Sequence, residues 1–139
     1  MKSVYISLSA DTLHHVHMKL IEEGRKYGKI TVGLLTDKAI SEFKNLPYLK
    51  FDQRKKILLN IKGVEKILPQ NEYDESINIK KYKPNYVIHG DDWKKGNQKN
   101  IRKKVIQLIK KWNGKLIEPS YTKKISSSLI KKKIKKKWN

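Results

Sequence analysis

The sequence predicts a three-layer α/β sandwich built on a mostly parallel sheet. Two near-continuous apolar runs, 3–8 and 30–35, are typical of parallel strands that are covered on both faces. A helical pattern lies between them, so that strand, helix and strand follow one another as in a βαβ unit. With right-handed crossovers, this alternation gives an open Rossmann-like sheet with helices on both faces.

The first helix is predicted to begin at a cap, Asp11 or Thr12, and to end near Gly24 or Gly28. Its apolar side chains recur at helical spacing on one face. That face is formed by Leu13, Val16, Leu20 and Ile21.

Beyond the second strand the pattern weakens between Asp37 and Asp52, and Pro47 is expected to break the chain into a loop. A helix over 51–61 follows. Its inward residues are predicted to be Ile57, Leu58 and Ile61. The later elements are predicted as a strand at 64–68, a helix at 76–81, a strand at 86–88, a helix around 101–109, a strand at 115–117 and a helix from 126.

The chain of 139 residues fits one domain that is long enough to bury a core. No internal repeat is visible, and we expect one domain over 1–128 followed by a lysine-rich helix or tail over 129–139. There is no cysteine. No apolar stretch approaches the ~20 residues of a membrane span, and no secretory signal is visible, so a cytoplasmic location is expected.

The formal net charge of +20 raises nucleic acid or an anionic membrane as a partner. Six lysines of that total lie within 131–137, and the rest are spread over the body. Arginine, the residue best suited to bidentate phosphate and guanine contacts, occurs only at Arg25, Arg54 and Arg102, which disfavours nucleic acid. The high net charge either reflects a bias in amino-acid composition, with the lysines on a solvated surface, or has been selected because it attracts anions. The tail is either a solvated end or a basic amphipathic helix in weak contact with a membrane surface.

Three polar clusters follow predicted strands. They are 14–17 with two histidines three residues apart, 89–93 with the sequence His-Gly-Asp-Asp-Trp, and 125–128 with the sequence Ile-Ser-Ser-Ser. Ligands collect where parallel strands end, so we expect the clusters to meet there. Imidazole N–H groups and a helix N-terminus stabilise charge on phosphate oxygens. A site of this kind can support attack on an α-phosphate, in which charge builds on the phosphate oxygens and on the leaving pyrophosphate.

The two histidines could also be ordinary polar residues at a helix start, or part of a metal site. The ligands of such a metal site would be His14, His15, His17 and Asp91. That spacing matches no known zinc pattern, and no cysteine supports it. We therefore predict no protein metal ligand.

The clusters resemble the His-any-Gly-His, Gly-Asp-Asp-Trp and Ile-Ser-Ser/Thr-Thr motifs of cytidylyltransferases in the small nucleotidyltransferase superfamily. The nearest pattern is the cytidylyltransferase domain fused to phosphoenolpyruvate mutase, and glycerol-3-phosphate cytidylyltransferase is more distant. The resemblance covers nearly the whole chain. The segments that carry the closer match are 9–11, 33–40, 46–49, 53–55, 60–64, 89–94 and 121–123.

The resemblance implies an enzyme that transfers CMP from CTP to a small phosphonate or phosphate head group and releases pyrophosphate. The favoured acceptor is 2-aminoethylphosphonate, and glycerol 3-phosphate and phosphocholine come after it. The family uses Mg²⁺ held largely by the triphosphate. A homodimer is also implied.

By the same resemblance, His14 and His17 would hold the α-phosphate, and Lys44 would lie between the phosphates of CTP and the acceptor. Arg54 is similar to the family arginine that helps to organise the site. The nucleotide-binding residues would be Ser9, Ala10, Asp11, Arg54, Gly90, Asp91, Asp92, Tyr121, Thr122, Ile125, Ser126 and Ser127. Trp93 is expected to pack in the core rather than to stack on a base.

Three residues stand where the family has glycine: Val16 between the motif histidines, Ser7 before Ser9, and Lys124 before Ile125. A side chain at these places can crowd a backbone that must approach phosphate closely. The alternative is therefore a catalytically degenerate nucleotide-binding protein of the same fold. A basic nucleic-acid-binding protein that retains only the fold is a third, weaker alternative.

Overall fold

The computed structural model describes residues 2–45, 47–120 and 131–134. One sheet of five parallel strands forms the centre, with the order β3-β2-β1-β4-β5. The strands are β1 (Ser3–Leu8), β2 (Lys29–Leu35), β3 (Val64–Gln70), β4 (Tyr86–Ile88) and β5 (Lys115–Ile117). The predicted α/β sandwich with a parallel sheet is confirmed.

Helices connect the strands. They are α1 (His15–Arg25), α2 (Asp37–Ser41), α3 (Phe51–Leu59), α4 (Ser76–Tyr82) and α5 (Lys99–Ile109). Short 3₁₀ turns cover Asp91–Lys94, Gly96–Gln98 and Lys110–Trp112. Residues 131–134 are helical, in agreement with the predicted terminal helix, whereas the rest of that helix and the expected boundary at 128 lie outside the described residues.

The strand order places the crevice of the fold. β1 is the central strand and pairs with β2 on one side and with β4 on the other. The chain therefore builds one half of the sheet from β1 to β3 and the other half from β4 to β5. Leu8 pairs with Leu34, and Ile6 pairs with Ile88. The segments that follow β1, β2 and β4 therefore open side by side at one edge, where α/β sheets bind ligands.

β1 is buried on both faces, as its apolar run predicts. Val4 and Ile6 belong to a cluster that packs against α1 and α3 through Ile21 and Leu58. Tyr5 points to the opposite face, among residues of α4, β4 and α5. The alternation of side chains along a strand thus joins both helical layers to the sheet.

A glycine in β2 is required by the close approach of Tyr5. The Tyr5 hydroxyl donates to Gln70 Oε1 over 2.6 Å and accepts from Asn78 Nδ2 over 3.2 Å. A Cβ at Gly33 would lie 1.7 Å from that hydroxyl oxygen. Gly33 therefore leaves the space through which this buried hydrogen-bond network passes.

The predicted cap of α1 is wrong. His14, not Asp11 or Thr12, is the N-cap, and its side chain accepts from the amide of Val16. Asp11 cannot serve because its carboxylate accepts two amides from the segment that precedes α3. Asp11 therefore binds amides that are distant in the sequence instead of capping the adjacent helix.

Two further predictions differ from the structure. Ile57 is 44% exposed, because the buried face of α3 carries Arg54 and Leu58 instead. The short helix α2 was not predicted, since five residues give no apolar periodicity. Its only sequence signal is Thr36, whose hydroxyl accepts from the amide of Ala39 as an N-cap. None of the helices in the described part of the chain is both long and apolar enough to span a membrane.

Candidate active site

A cavity of about 460 Å³ opens where β1, β2 and β4 end. The elements on its rim come from distant parts of the sequence: the end of β1, the segment after α2, the loop before α4 and the residue after β4. Its polar lining includes Ser7, Ser9, Lys44, Tyr73, Glu75 and His89. Of the two predicted clusters that the structure describes, only 89–93 contributes a lining residue, His89.

His14 and His17 form a reciprocal cap at the start of α1. The amide of Val16 donates to His14 Nδ1 over 3.3 Å, and the amide of His14 donates to His17 Nδ1 over 3.2 Å. The two ring centroids lie 4.1 Å apart. Because each Nδ1 is an acceptor, the neutral ring carries its hydrogen on Nε2. The helix cap thus fixes the tautomer of both imidazoles.

Both histidines are neutral at pH 7. Burial, together with the neighbouring His14 and Lys44, lowers the pKa of His17 to about 4. Burial and then His15 lower the pKa of His14. The pair therefore offers two uncharged Nε2–H donors beside the positive charge of Lys44, whose own pKa is lowered by burial.

The turn after β1 holds this edge of the site in place. Ala10 is buried and adopts a left-handed backbone with φ of 54°, a conformation that is uncommon for a residue with a Cβ. The next residue, Asp11, accepts from the amide of Tyr48 over 3.0 Å and from that of Leu49 over 2.9 Å. Its carboxylate also pairs with Lys131. Asp11 thus ties three separated segments together.

Arg54 is completely buried beneath the ends of β1 and β2. Its Nη1 donates to the carbonyls of Ser9 and Leu35, each over 2.7 Å. Nε donates to the carbonyl of Leu49 over 3.0 Å, and Nη2 donates to Asp37 Oδ1 over 2.6 Å. The guanidinium therefore holds together the backbone at the ends of β1 and β2.

Glu75 and His89 are neighbours in the lining of the cavity. His89 Nδ1 lies 2.8 Å from the carbonyl oxygen of Gly90, which can only accept, so Nδ1 is the donor. The His89 ring stacks on Trp93 with centroids 3.6 Å apart, and Nε2 lies 3.9 Å from Glu75 Oε1. Burial raises the pKa of Glu75, although His89 and Ser7 act in the opposite direction.

The second predicted cluster lies beside the cavity. Gly90 is buried, and the following 3₁₀ turn carries Asp91 and Asp92. The Asp91 amide donates to the carbonyl of Pro119 over 3.3 Å, which joins this turn to the segment after β5. Trp93 is 1% exposed in the core, as expected, and its Nε1 donates to Glu118 over 2.6 Å.

The third predicted cluster lies outside the described residues. This applies to Tyr121, Thr122, Lys124, Ile125, Ser126 and Ser127. Their assignment to the nucleotide stays a prediction. Of the other departures from glycine, Val16 is buried at the start of α1, and Ser7 lines the cavity.

Several lining residues were not predicted. Phe43, Tyr73, Glu75 and Gln98 were given no role, and His89 was noticed only as part of its motif. Phe43 and Tyr73 pack edge to face with centroids 4.3 Å apart, and Tyr73 is hydrogen-bonded to Gln98. The one usable signal was positional, since the loop before α4 follows the end of β3 at the ligand-binding edge of the sheet.

Across 2–45, 47–120 and 131–134, no group of three or more His, Asp or Glu side chains is placed to hold a metal ion. The described residues instead offer imidazole donors and lysine, which suit an anion.

Comparison with known proteins identifies relatives along most of the chain. Residues 9–133 match the profile of the family described as Cytidylyltransferase-like. The glycerol-3-phosphate cytidylyltransferase of Bacillus spizizenii is 32% identical over 96 residues, which cover 68% of this chain and 74% of that protein. The FAD synthase of Methanopyrus kandleri is 30% identical over 86 residues, which cover 59% of this chain and 57% of that protein.

Two more distant proteins extend the comparison. The ethanolamine-phosphate cytidylyltransferase of Mus musculus is 27% identical and is covered over only 21% of its length. The crystal structure of a lipopolysaccharide core biosynthesis protein from Thermoplasma volcanium has a TM-score of 0.72 and 20% identity, with 88% of this chain and 98% of that chain covered. That structural likeness supports the fold.

Proposed function

The chain belongs to the cytidylyltransferase-like family, and on that premise we propose that it transfers CMP from CTP to a small phosphonate or phosphate head group. The observation that carries this proposal is the pair of neutral imidazoles, capped so that both Nε2–H groups are donors, beside Lys44. These groups suit a phosphate on which negative charge grows.

The reaction needs no covalent protein intermediate. An anionic oxygen of the acceptor attacks the α-phosphorus of CTP, the bond from phosphorus to this oxygen forms, and the bond to the β-phosphate oxygen breaks. Pyrophosphate leaves with the electron pair of that bond. Neutral N–H donors and Lys44 stabilise the charge that builds on the phosphate oxygens, and they need not move a proton to do so.

Magnesium belongs to this proposal as a partner of the triphosphate. When bound, it would neutralise charge on the phosphates of CTP. The described residues supply the donors that orient the nucleotide, and Arg54 fixes the backbone at Ser9 beneath them. We assign no protein ligand to the ion.

The favoured acceptor is 2-aminoethylphosphonate, on the resemblance of the motif segments to cytidylyltransferases of phosphonate metabolism. The named relatives act on other phosphate acceptors, glycerol 3-phosphate and ethanolamine phosphate among them. A homodimer, contact of the basic tail with a membrane surface and a cytoplasmic location stay predictions.

The test is pyrophosphate release with CTP, Mg²⁺ and each of 2-aminoethylphosphonate, phosphoethanolamine, glycerol 3-phosphate and phosphocholine. His17→Asn keeps an acceptor near the position of Nδ1 and so preserves the helix cap, but it removes the Nε2–H donor. We expect kcat to fall by about 10²- to 10³-fold. His15→Asn is the matched control, because His15 is exposed beside the pair. Equal rates for His17→Asn and the wild type would overturn the assignment.

The alternative is a nucleotide-binding protein without turnover, in which the residues that replace glycine have silenced the site. Val16→Gly separates the two. A slow enzyme speeds up when the side chain is removed, whereas a degenerate binder stays inactive because Ser7 and Lys124 remain. CTP binding by calorimetry without pyrophosphate release from either protein would favour the alternative.

A further inference from the structure

A buried acidic side chain, Glu75, lines the cavity together with Lys44, and its carboxylate accepts no hydrogen bond of good geometry within the described residues. We propose that Glu75, with the ring of Tyr73, forms the subsite for a positively charged amine on the acceptor. This inference rests on the proposed CMP transfer and narrows it. The preferred acceptors are then aminoalkyl phosphonates or phosphates rather than polyol phosphates.

Glu75 is 3% exposed, and within the described chain neither of its carboxylate oxygens accepts a hydrogen bond of good geometry. The nearest basic group is His89, whose Nε2 at 3.9 Å is beyond hydrogen-bond distance. Burying a carboxylate without such partners is costly, so native proteins rarely keep one without use. A cation that enters the cavity would relieve that cost.

The walls beside Glu75 suit an alkylammonium group. Tyr73 lines the same cavity as Glu75 and packs edge to face against Phe43. The Phe43 ring itself faces the Lys44 ammonium, which lies 5.5 Å from its centroid. Aromatic rings attract cations through their quadrupole, and the attraction grows where water is excluded. Gln98 engages the Tyr73 hydroxyl and so holds this ring in place.

The cavity carries opposite charges. Lys44, the neighbour of His17, lines it together with Glu75. A zwitterionic acceptor would place its phosphonate or phosphate near Lys44 and its ammonium group on Glu75. A polyol phosphate satisfies the first contact and leaves the carboxylate buried without a partner. Such an unpaired group is what allows a polar site to reject the wrong ligand strongly.

The experiment compares acceptors that differ in one group. Initial rates are measured for the wild type with 2-aminoethylphosphonate, 2-hydroxyethylphosphonate, phosphoethanolamine and glycerol 3-phosphate. We expect kcat/KM to be at least about tenfold higher for each amine than for its uncharged counterpart. The phosphonate and phosphate amines show which anion is preferred.

Glu75→Gln removes the charge at nearly constant volume. We expect a rise of about ten- to a hundredfold in KM for the amines, little change for the hydroxyl acceptors and an unchanged KM for CTP. Glu72→Gln is the matched control, since it removes the same charge three residues away on the exposed part of the loop. Its kinetics should equal those of the wild type.

Failure of this inference differs from failure of the proposed function. If the wild type transfers CMP equally well to the amine and hydroxyl acceptors, or if Glu75→Gln changes both alike, CMP transfer stands and the amine subsite is wrong. If no acceptor releases pyrophosphate, the proposed function fails. In that case calorimetry with CTP present decides the subsite, and equal affinity for 2-aminoethylphosphonate and 2-hydroxyethylphosphonate overturns it.

Discussion

Arg54 and Glu75 are both buried charges at the same edge of the sheet, yet their surroundings are opposite. Arg54 is fully buried and makes four hydrogen bonds, three of them to backbone carbonyls. Glu75 is almost as deeply buried, and neither of its oxygens finds such a partner within the described residues. Hydrogen bonds within the protein offset the desolvation cost of burying Arg54, whereas none in the described part of the chain offsets that of burying the Glu75 carboxylate.

The difference indicates that Arg54 is a framework charge, which stabilises the backbone around the site, whereas Glu75 is available to a ligand. Arg54 donates to backbone carbonyls at the ends of β1 and β2 and in the turn before α3, so it positions the backbone around the site. The nearest basic group to Glu75 is His89, whose Nε2 lies 3.9 Å from Oε1. A buried charge without partners is a cost to folding that a bound ligand can recover.

The largest effect is expected from Arg54→Met. The substitution leaves the carbonyls of Ser9, Leu35 and Leu49 buried without a donor, and loss of one partner from a buried charged network typically costs about 3–5 kcal/mol. Urea unfolding measures the change. Arg25→Met is the control, because Arg25 is exposed and makes a single bond to the carbonyl of Lys62, so its loss should cost less than about 1 kcal/mol. Similar losses from both variants would contradict the framework role of Arg54.

Asp11 is a third buried charge at this edge of the sheet. Its two oxygens accept from the amides of Tyr48 and Leu49 and pair with Lys131, so Asp11 belongs with Arg54 as a framework charge. In Asp11→Asn the amide can accept through one oxygen only, and we expect a loss of about 2 kcal/mol in urea unfolding. The exposed Asp52→Asn should change stability by less than about 1 kcal/mol. Unchanged stability of Asp11→Asn would remove Asp11 from the framework.

The local motifs were predictable from the sequence because their partners are near in the chain. Two histidines three residues apart, placed after a strand, require only the helix and strand periods to be recognised. The structure adds that the same spacing caps α1 and fixes the tautomer of both rings. The alternation of strands and helices likewise reflects local periodicity, and the parallel sheet follows from it.

The cavity that contains the amine subsite could not be predicted in the same way. Phe43, Glu75 and His89 come from different loops, and only the strand order brings them to one cavity. Nothing adjacent to Glu75 in sequence distinguishes it from Glu72, which is exposed. Asp11 illustrates the converse, because a capping residue by type is drawn into a long-range contact, and His14 takes the cap.

The smallest effect, and the one opposite in sign, is expected from the unliganded Glu75→Gln protein. Replacing the unpaired buried carboxylate with a neutral amide should stabilise the fold by about 1 kcal/mol at pH 7. The effect depends on pH because burial raises the pKa of Glu75 above its ordinary value of 4.5. The native state therefore holds this proton at a pH at which the unfolded state has already lost it.

The sign of the pH dependence follows from this difference in bound protons. Below pH 4.5 the carboxyl is neutral in both states, so the wild type and Glu75→Gln should have similar stability. As the pH rises through the raised native pKa, the wild type loses stability relative to the variant. The depressed pKa of His17 acts in the opposite direction, but it is common to both proteins and cancels in their difference. Urea unfolding of both proteins from pH 4 to pH 8 measures that difference. A gap that does not widen with pH would mean that Glu75 already has a partner in the folded chain, and the contrast with Arg54 would then disappear.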